Sequence, residues 1–348
     1  MEIKNTKRII EYLFDCRKNF DNIRAVSKLE PKISHATFQA DHELTEKSIT
    51  NVFHKWLCNE EHWSDEDSCK FFKKISILKS TSLFYSSPYF RHCLNTSLMN
   101  PLKIGKIEYK KGEILTDEFP TLELKMSRSY HLCILDNDTE SIFYQDPVRG
   151  TYSLDILRFL EPERVSKNVN GNVLILGGNL GYLPYIFSLN KNVKSITVVD
   201  ENPDVCDFLM KNVQLLGFCP IFIKNDNPRT YLEENKDFSY QYVYCDCWND
   251  LKLGAFLYKE LIQFEKYYPQ TKFDYWLEDL ILDQTVFNIF QYFTAKLGGK
   301  NSSVNFENIA STLWNALEKY DYIIERPDQI EYFLSRHFAK EILKREHN

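Results

Sequence analysis

The sequence is short of the residues that break regular structure, with 11 glycines and 12 prolines among 348 residues. That scarcity excludes low-complexity linkers and loop-dominated folds. It also lacks an excess of positive charge: 43 Lys and Arg stand against 49 Asp and Glu, a formal net charge of −6. Sequence-independent binding along a phosphate backbone needs a basic surface, so nucleic acid is not the expected partner. No apolar run approaches the roughly 18 residues that a membrane span requires. The opening segment, MEIKNTKRIIEYLFDC, carries charges between its apolar residues and has no signal-peptide core. Nine cysteines show no disulfide-framework spacing, so reduced thiols and a cytoplasmic location are expected. What is abundant is core-forming material. An apolar fraction of 43% with 15% aromatics is ample for a large buried interior and excludes a disordered chain.

At about 150 residues per domain, the length predicts two domains or one domain with a substantial extension. Residues 1–100 read as helical, with Ile9, Leu13, Cys16 and Phe20 at helical spacing and the segments 44–58 and 66–80 continuing the pattern. Residues 101–165 read as a small β-rich connector, in which 130–135 and 141–145 flank Asp136-Asn137-Asp138-Thr139 as a hairpin. Residues 166–348 form an α/β domain with a helical end, where a strand at 322–324 leads into one amphipathic helix opening at Arg326-Pro327-Asp328. Short apolar strands at 173–176, 195–199, 221–224, 242–245 and 273–277 alternate with helices. Buried strands separated by helices predict a doubly wound, mainly parallel sheet of Rossmann-like type. Such sheets bind ligands beyond the carboxyl ends of their strands.

Those ends are chemically distinctive. The first runs into Gly177-Gly178-Asn179-Leu180-Gly181-Tyr182. Glycines at a strand-to-helix turn supply positive φ and let a ligand approach the backbone, and Asn tolerates the left-handed region after Gly. The strict dinucleotide pattern fails at Asn179 and Tyr182, which disfavours NAD. The second strand ends at Asp200-Glu201, where a carboxylate accepts both hydroxyls of a ribose. The third ends at Asn225-Asp226, suited to the exocyclic amine of adenine or, as an alternative, to an Asx turn before Pro228. The fourth ends at Asp246, placed over the middle of the cleft to hold or deprotonate an acceptor. Trp248 then forms either a cleft wall that stacks on a cation or part of the core.

Together NVLILGGNLGY, ITVVDENPDV, FIKND and YVYCDCW resemble the class I S-adenosylmethionine-dependent methyltransferases. The resemblance implies that Gly177, Gly178, Asn179 and Gly181 carry the methionine part of S-adenosyl-L-methionine. Asp200, with Glu201 beside it, would hold the ribose, and Asn225 and Asp226 would contact the adenine. The spermidine-synthase-like branch is the nearest flavour, with apolar Ile175 before the glycines and an Asp at the position of Asp246. Leu180 and the run Cys247-Trp248-Asn249 depart from that branch. Including SPYFRH (87–92) and FDYWLED (273–279), the chain is also similar to a group of bacterial methyltransferase-fold proteins that bring no known substrate. The implied reaction is direct displacement at the sulfonium methyl, with Asp246 orienting or deprotonating the acceptor. Aminopropyl transfer, and a non-catalytic nucleoside-binding or interaction protein, are the alternatives. A small-molecule acceptor is the expected partner, with no membrane, and a homo-oligomer stays open. No metal is assigned. His54, Cys58 and His62 share a helical face near Cys69, but a straight helix spreads them over about 12 Å, too far for one ion. Cys245 and Cys247 are expected to pack away from the cleft.

Overall fold

The computed structural model describes residues 1–4, 6–29, 45–71, 74–78, 87–96, 102, 104–112, 114–116, 131–146, 149–154, 158, 162, 165–214, 216–236, 239–249, 251–297 and 309–345. The chain divides into two compact units. One joins both ends of the sequence, residues 1–76, 116–132 and 279–348; the other holds 77–115 and 133–278.

The second unit is built on a five-stranded parallel sheet. Its strands, in chain order, are β8 (Gly171–Leu176), β9 (Val193–Asp200), β10 (Ile221–Asn225), β11 (Tyr242–Cys245) and β12 (Lys272–Tyr275). They lie in the order β10-β9-β8-β11-β12, every pair parallel. The strand sequence therefore reverses direction at β8, whose two neighbours are β9 and β11. That is the topological switch point of a doubly wound sheet. Val173 to Leu176 and Tyr242 to Cys245 are buried along their whole length, as a parallel sheet covered on both faces requires.

Helices α5 (Tyr182–Ser188), α6 (Pro203–Asn212), α7 (Pro228–Glu234) and α8 (Leu251–Leu261) make the crossovers. Asn202 and Asn227 each cap the helix that follows, with proline at its first position. Before the sheet come the strands β3 (Ile104–Tyr109), β4 (Ile114–Thr116), β5 (His131–Leu135), β6 (Thr139–Asp146) and β7 (Gly150–Leu154). Of these, β3, β6 and β7 form an antiparallel sheet. Their inward residues Ile142, Tyr144, Tyr152 and Leu154 join Tyr182, Phe187 and Tyr244 in one core. Helix α4 (Pro88–Thr96) adds Tyr89, whose hydroxyl donates to the Leu180 carbonyl and whose ring meets Tyr182 edge-on at 5.2 Å.

The other unit is helical. It comprises α1 (Lys7–Leu29), α2 (Glu46–Glu60), α3 (Asp65–Phe71), α9 (Glu278–Lys296), whose first residue falls in the sheet unit, α10 (Ile309–Glu318), α11 (Pro327–Phe333) and α12 (Arg336–Arg345). A two-residue strand β1 (Glu2–Ile3) pairs in parallel with β13 (Ile323–Ile324), tying the two ends of the sequence together. Among the described residues no helix is long and apolar enough to cross a membrane.

Four sequence-based expectations change. The helix expected over 66–80 stops at Phe71, and Lys74–Leu78 is a strand, β2, where β-branched Ile75 and Ile77 alternate with Lys74 and Ser76. The expected hairpin does not form: β5 is paired in a separate three-stranded sheet, while β6 pairs with β3 and β7. The fifth parallel strand ends at Tyr275, because Leu277 takes a left-handed φ of 58°. The final helix is two, α11 and α12, parted where Leu334 leaves helical geometry.

Candidate functional site

Asp200, at the carboxyl end of β9, is completely buried. Its carboxylate accepts the Gly178 N–H at 2.6 Å and the Asn202 N–H at 2.9 Å. Arg149 grips the same carboxylate with both terminal nitrogens, at 2.6 and 3.3 Å. Arg149 is itself placed by Asp146, which accepts its backbone N–H at 2.7 Å and lies 3.5 Å from its guanidinium. Asn202 closes the ring by donating to Asp146 at 2.9 Å. Such a fork matches two planar groups bidentately. Every side-chain oxygen of Asp200 is thereby committed to the chain itself.

The glycine turn is equally filled. Gly177 has φ 95°, and a Cβ there would lie 2.1 Å from the Asp246 carbonyl oxygen, so the glycine permits the approach of β8 to the chain after β11. A Cβ at Gly178 or Gly181 would meet Leu209 at 2.5 Å, so these two let α6 close on the turn. Asn179 takes φ 47°, is buried, accepts from the Tyr144 hydroxyl at 3.2 Å and donates to the Asp246 carbonyl at 2.9 Å.

The second acid sits in a different setting. Asp246 accepts from Arg158 at 2.8 Å, and that guanidinium also donates to the Trp248 carbonyl at 3.0 Å and reaches Asn249 at 3.4 Å. The guanidinium lies between the rings of Tyr152 and Trp276, 4.3 and 4.4 Å from their centroids. A cation between two aromatic faces and a carboxylate is a cation box. Burial pushes the Asp246 carboxyl up to about 6, against the opposing pull of the arginines and Asn179. A small pocket beside it, bordered by Tyr152, Arg158, Tyr182, Tyr244 and Trp276, has room for about one water at most.

The remaining predicted residues are dispersed among local contacts. Asn225 donates to the Asp200 backbone carbonyl at 3.0 Å, and Asp226 accepts the next N–H, that of Asn227, at 2.7 Å. Glu201 is exposed and accepts from the Asn227 side chain at 2.9 Å. Trp248 is fully buried, donates its indole N–H to the Trp276 carbonyl at 2.9 Å and packs against Gly254. It is a core residue here and walls no open face. Cys245 and Cys247 are buried too.

The acid assigned to the sugar of a nucleoside is enclosed and chelated by Arg149. Sequence reasoning missed both arginines. Arg149 lies in Asp-Pro-Val-Arg-Gly and Arg158 in an amphipathic stretch, and neither pattern separates a buried guanidinium from a solvated one. The nearest signal is their position just before the parallel sheet, with Tyr152 between them.

The strand order, with its reversal at β8, defines a Rossmann-like, doubly wound parallel α/β fold. Among solved structures, the chain is similar to the spermidine synthase of Thermotoga maritima at 14% identity, over 45% of this chain and 60% of that one, with a TM-score of 0.27. It is similar to wild-type Trm5b of Pyrococcus abyssi at 13% identity, over 55% of each chain, with a TM-score of 0.25. A spermidine synthase in complex with the transition-state analogue AdoDATO is similar at 14% identity, over 45% of this chain and 59% of that one, with a TM-score of 0.26. The aligned part thus spans between 55% and 60% of each of those proteins, and at such scores the likenesses carry no argument about chemistry. No protein-family model and no curated protein matches the chain.

Proposed function

We propose that the chain is a transferase of the S-adenosylmethionine-using class that acts on a small cationic acceptor, in a state where its own arginines stand in for the ligands. One observation carries the reading: at the switch point of the sheet, two buried carboxylates, Asp200 and Asp246, each hold a guanidinium. Arg149 takes the carboxylate that a ribose would take. Arg158 marks the kind of group that Tyr152, Trp276 and Asp246 recognise, a cation with donor hydrogens. Methyl transfer is the favoured reaction and aminopropyl transfer its rival. The acceptor is proposed as a small molecule, and the compartment as cytoplasmic.

The Arg149–Asp200 fork also favours a second reading, a non-catalytic protein in which the sugar-binding acid has become a structural ion pair. Melting of wild type and Arg149→Gln with S-adenosylmethionine, its demethylated product and decarboxylated S-adenosylmethionine separates them. A ligand at 100 times its dissociation constant adds roughly 2.7 kcal/mol. The transferase reading expects such a gain in wild type and a larger one in Arg149→Gln, where nothing has to be displaced. A gain with only the decarboxylated compound selects aminopropyl transfer. No gain in either protein overturns the transferase reading.

A further inference from the structure

The turn between α2 and α3 gathers a second constellation, within the helical unit. His54 and Cys58 lie one turn apart on α2, and after Glu60 the chain folds back so that Asp65 opens α3 beside them. The ligand atoms of His54, Cys58 and Asp65 all lie within 4.8 Å of one another. The Cys58 thiol is 3.5 Å from Asp65 Oδ1, which is 3.3 Å from His54 Nε2. A tetrahedral zinc with bonds of about 2.0–2.3 Å holds its ligand atoms roughly 3.3–3.8 Å apart. These two separations match the edges of such a polyhedron.

The other imidazole nitrogen is also provided for. His54 Nδ1 lies 2.9 Å from the hydroxyl of Ser68, which is buried. Metal-bound histidines nearly always place their second ring nitrogen against such a partner, which fixes the tautomer. Cys69 stands on this side as well, 3.9 Å from Nδ1, and is not part of the trio. His62, which a straight helix would have added, lies past the end of α2 at φ 57° and does not join. A divalent ion would take the cysteine as its thiolate.

We infer that His54, Cys58 and Asp65 form a site for a borderline-soft divalent cation of the zinc type, with Ser68 holding the imidazole and a fourth position open to water. The ion would clip α3, a helix of 7 residues, onto α2. So short a helix is not self-sustaining.

Cobalt(II) added to the full chain tests this. The expected result is one equivalent bound, with a thiolate-to-cobalt charge-transfer band and tetrahedral d–d absorption, both displaced by zinc. Cys58→Ser should abolish the band, Cys69→Ser and Cys219→Ser should keep it, and Ser68→Ala should weaken zinc binding about 10–100-fold. Circular dichroism of each variant checks that it is folded. Absence of stoichiometric binding in wild type, or a band that survives Cys58→Ser, overturns the site.

Discussion

The two arginine–carboxylate pairs at the strand ends look alike in a list of contacts and differ in kind. Asp200 and Arg149 form a closed ring with Asp146, Asn202 and the Gly178 N–H, in which both partners are bound more than once. Asp246 accepts from Arg158, whose guanidinium also donates to the Trp248 carbonyl, reaches Asn249 and lies over two aromatic rings, outside any closed ring of carboxylates. A buried charge with all its hydrogen bonds made is held rigidly, whereas one with few of them shifts its protonation instead. The first pair is therefore a lock that a ligand of Asp200 has to displace, and the second a group able to titrate near neutrality.

The sharpest way to break this contrast is Arg149→Ala. Removing one partner of a fully buried pair leaves an uncompensated charge and should cost about 3–5 kcal/mol in urea unfolding. A loss below about 1 kcal/mol would mean that the ring is not a lock. Next in size is the pH dependence of Asp246. Its folded value of about 6 lies above the usual 3.8, so the folded state binds the proton more tightly. The stability from this group is fully present below about pH 4, falls as pH rises to about 6 and is level above. At about 1.36 kcal/mol per unit, the difference is about 3 kcal/mol. Unfolding curves of wild type and Asp246→Asn between pH 4 and 7 should diverge by this slope, and parallel curves would refute it.

Arg158→Ala comes third. Asp246 can answer the loss by taking a proton, so about 2 kcal/mol at pH 7 and about half that at pH 5 are expected, measured by the same unfolding. An equal loss at both values would place Asp246 with Asp200. Smallest is Tyr144→Phe, which deletes the bond to Asn179 and should cost about 1 kcal/mol in thermal unfolding.

How much of this was legible beforehand follows the range of the forces. The strands that make the parallel sheet were readable to within a residue or two, because continuous apolar runs such as Val173 to Leu176 leave no alternative to burial on both faces. Asp200 and Asp246 were legible as strand-end acids by position alone. Their partners were not: a pairing across 51 or 88 residues depends on how the antiparallel sheet docks, which local pattern does not encode. The same limit explains β5, whose alternation identifies a strand but not which sheet it joins. It explains Trp248 as well, where a bulky ring after a strand fits either a wall or a core until Gly254 is seen beneath it. His54, Cys58 and His62 are too spread on one helix, whereas the turn after Glu60 brings Asp65 of the next helix to His54 and Cys58, which no spacing within one helix announces.

The most direct test of the account is a crystal structure of the chain grown with the demethylated product of S-adenosylmethionine. The account predicts the ligand's sugar hydroxyls on the Asp200 carboxylate and the Arg149 guanidinium withdrawn from it. Arg149 still forked onto Asp200, with the nucleoside bound elsewhere or not at all at saturating concentration, would contradict it.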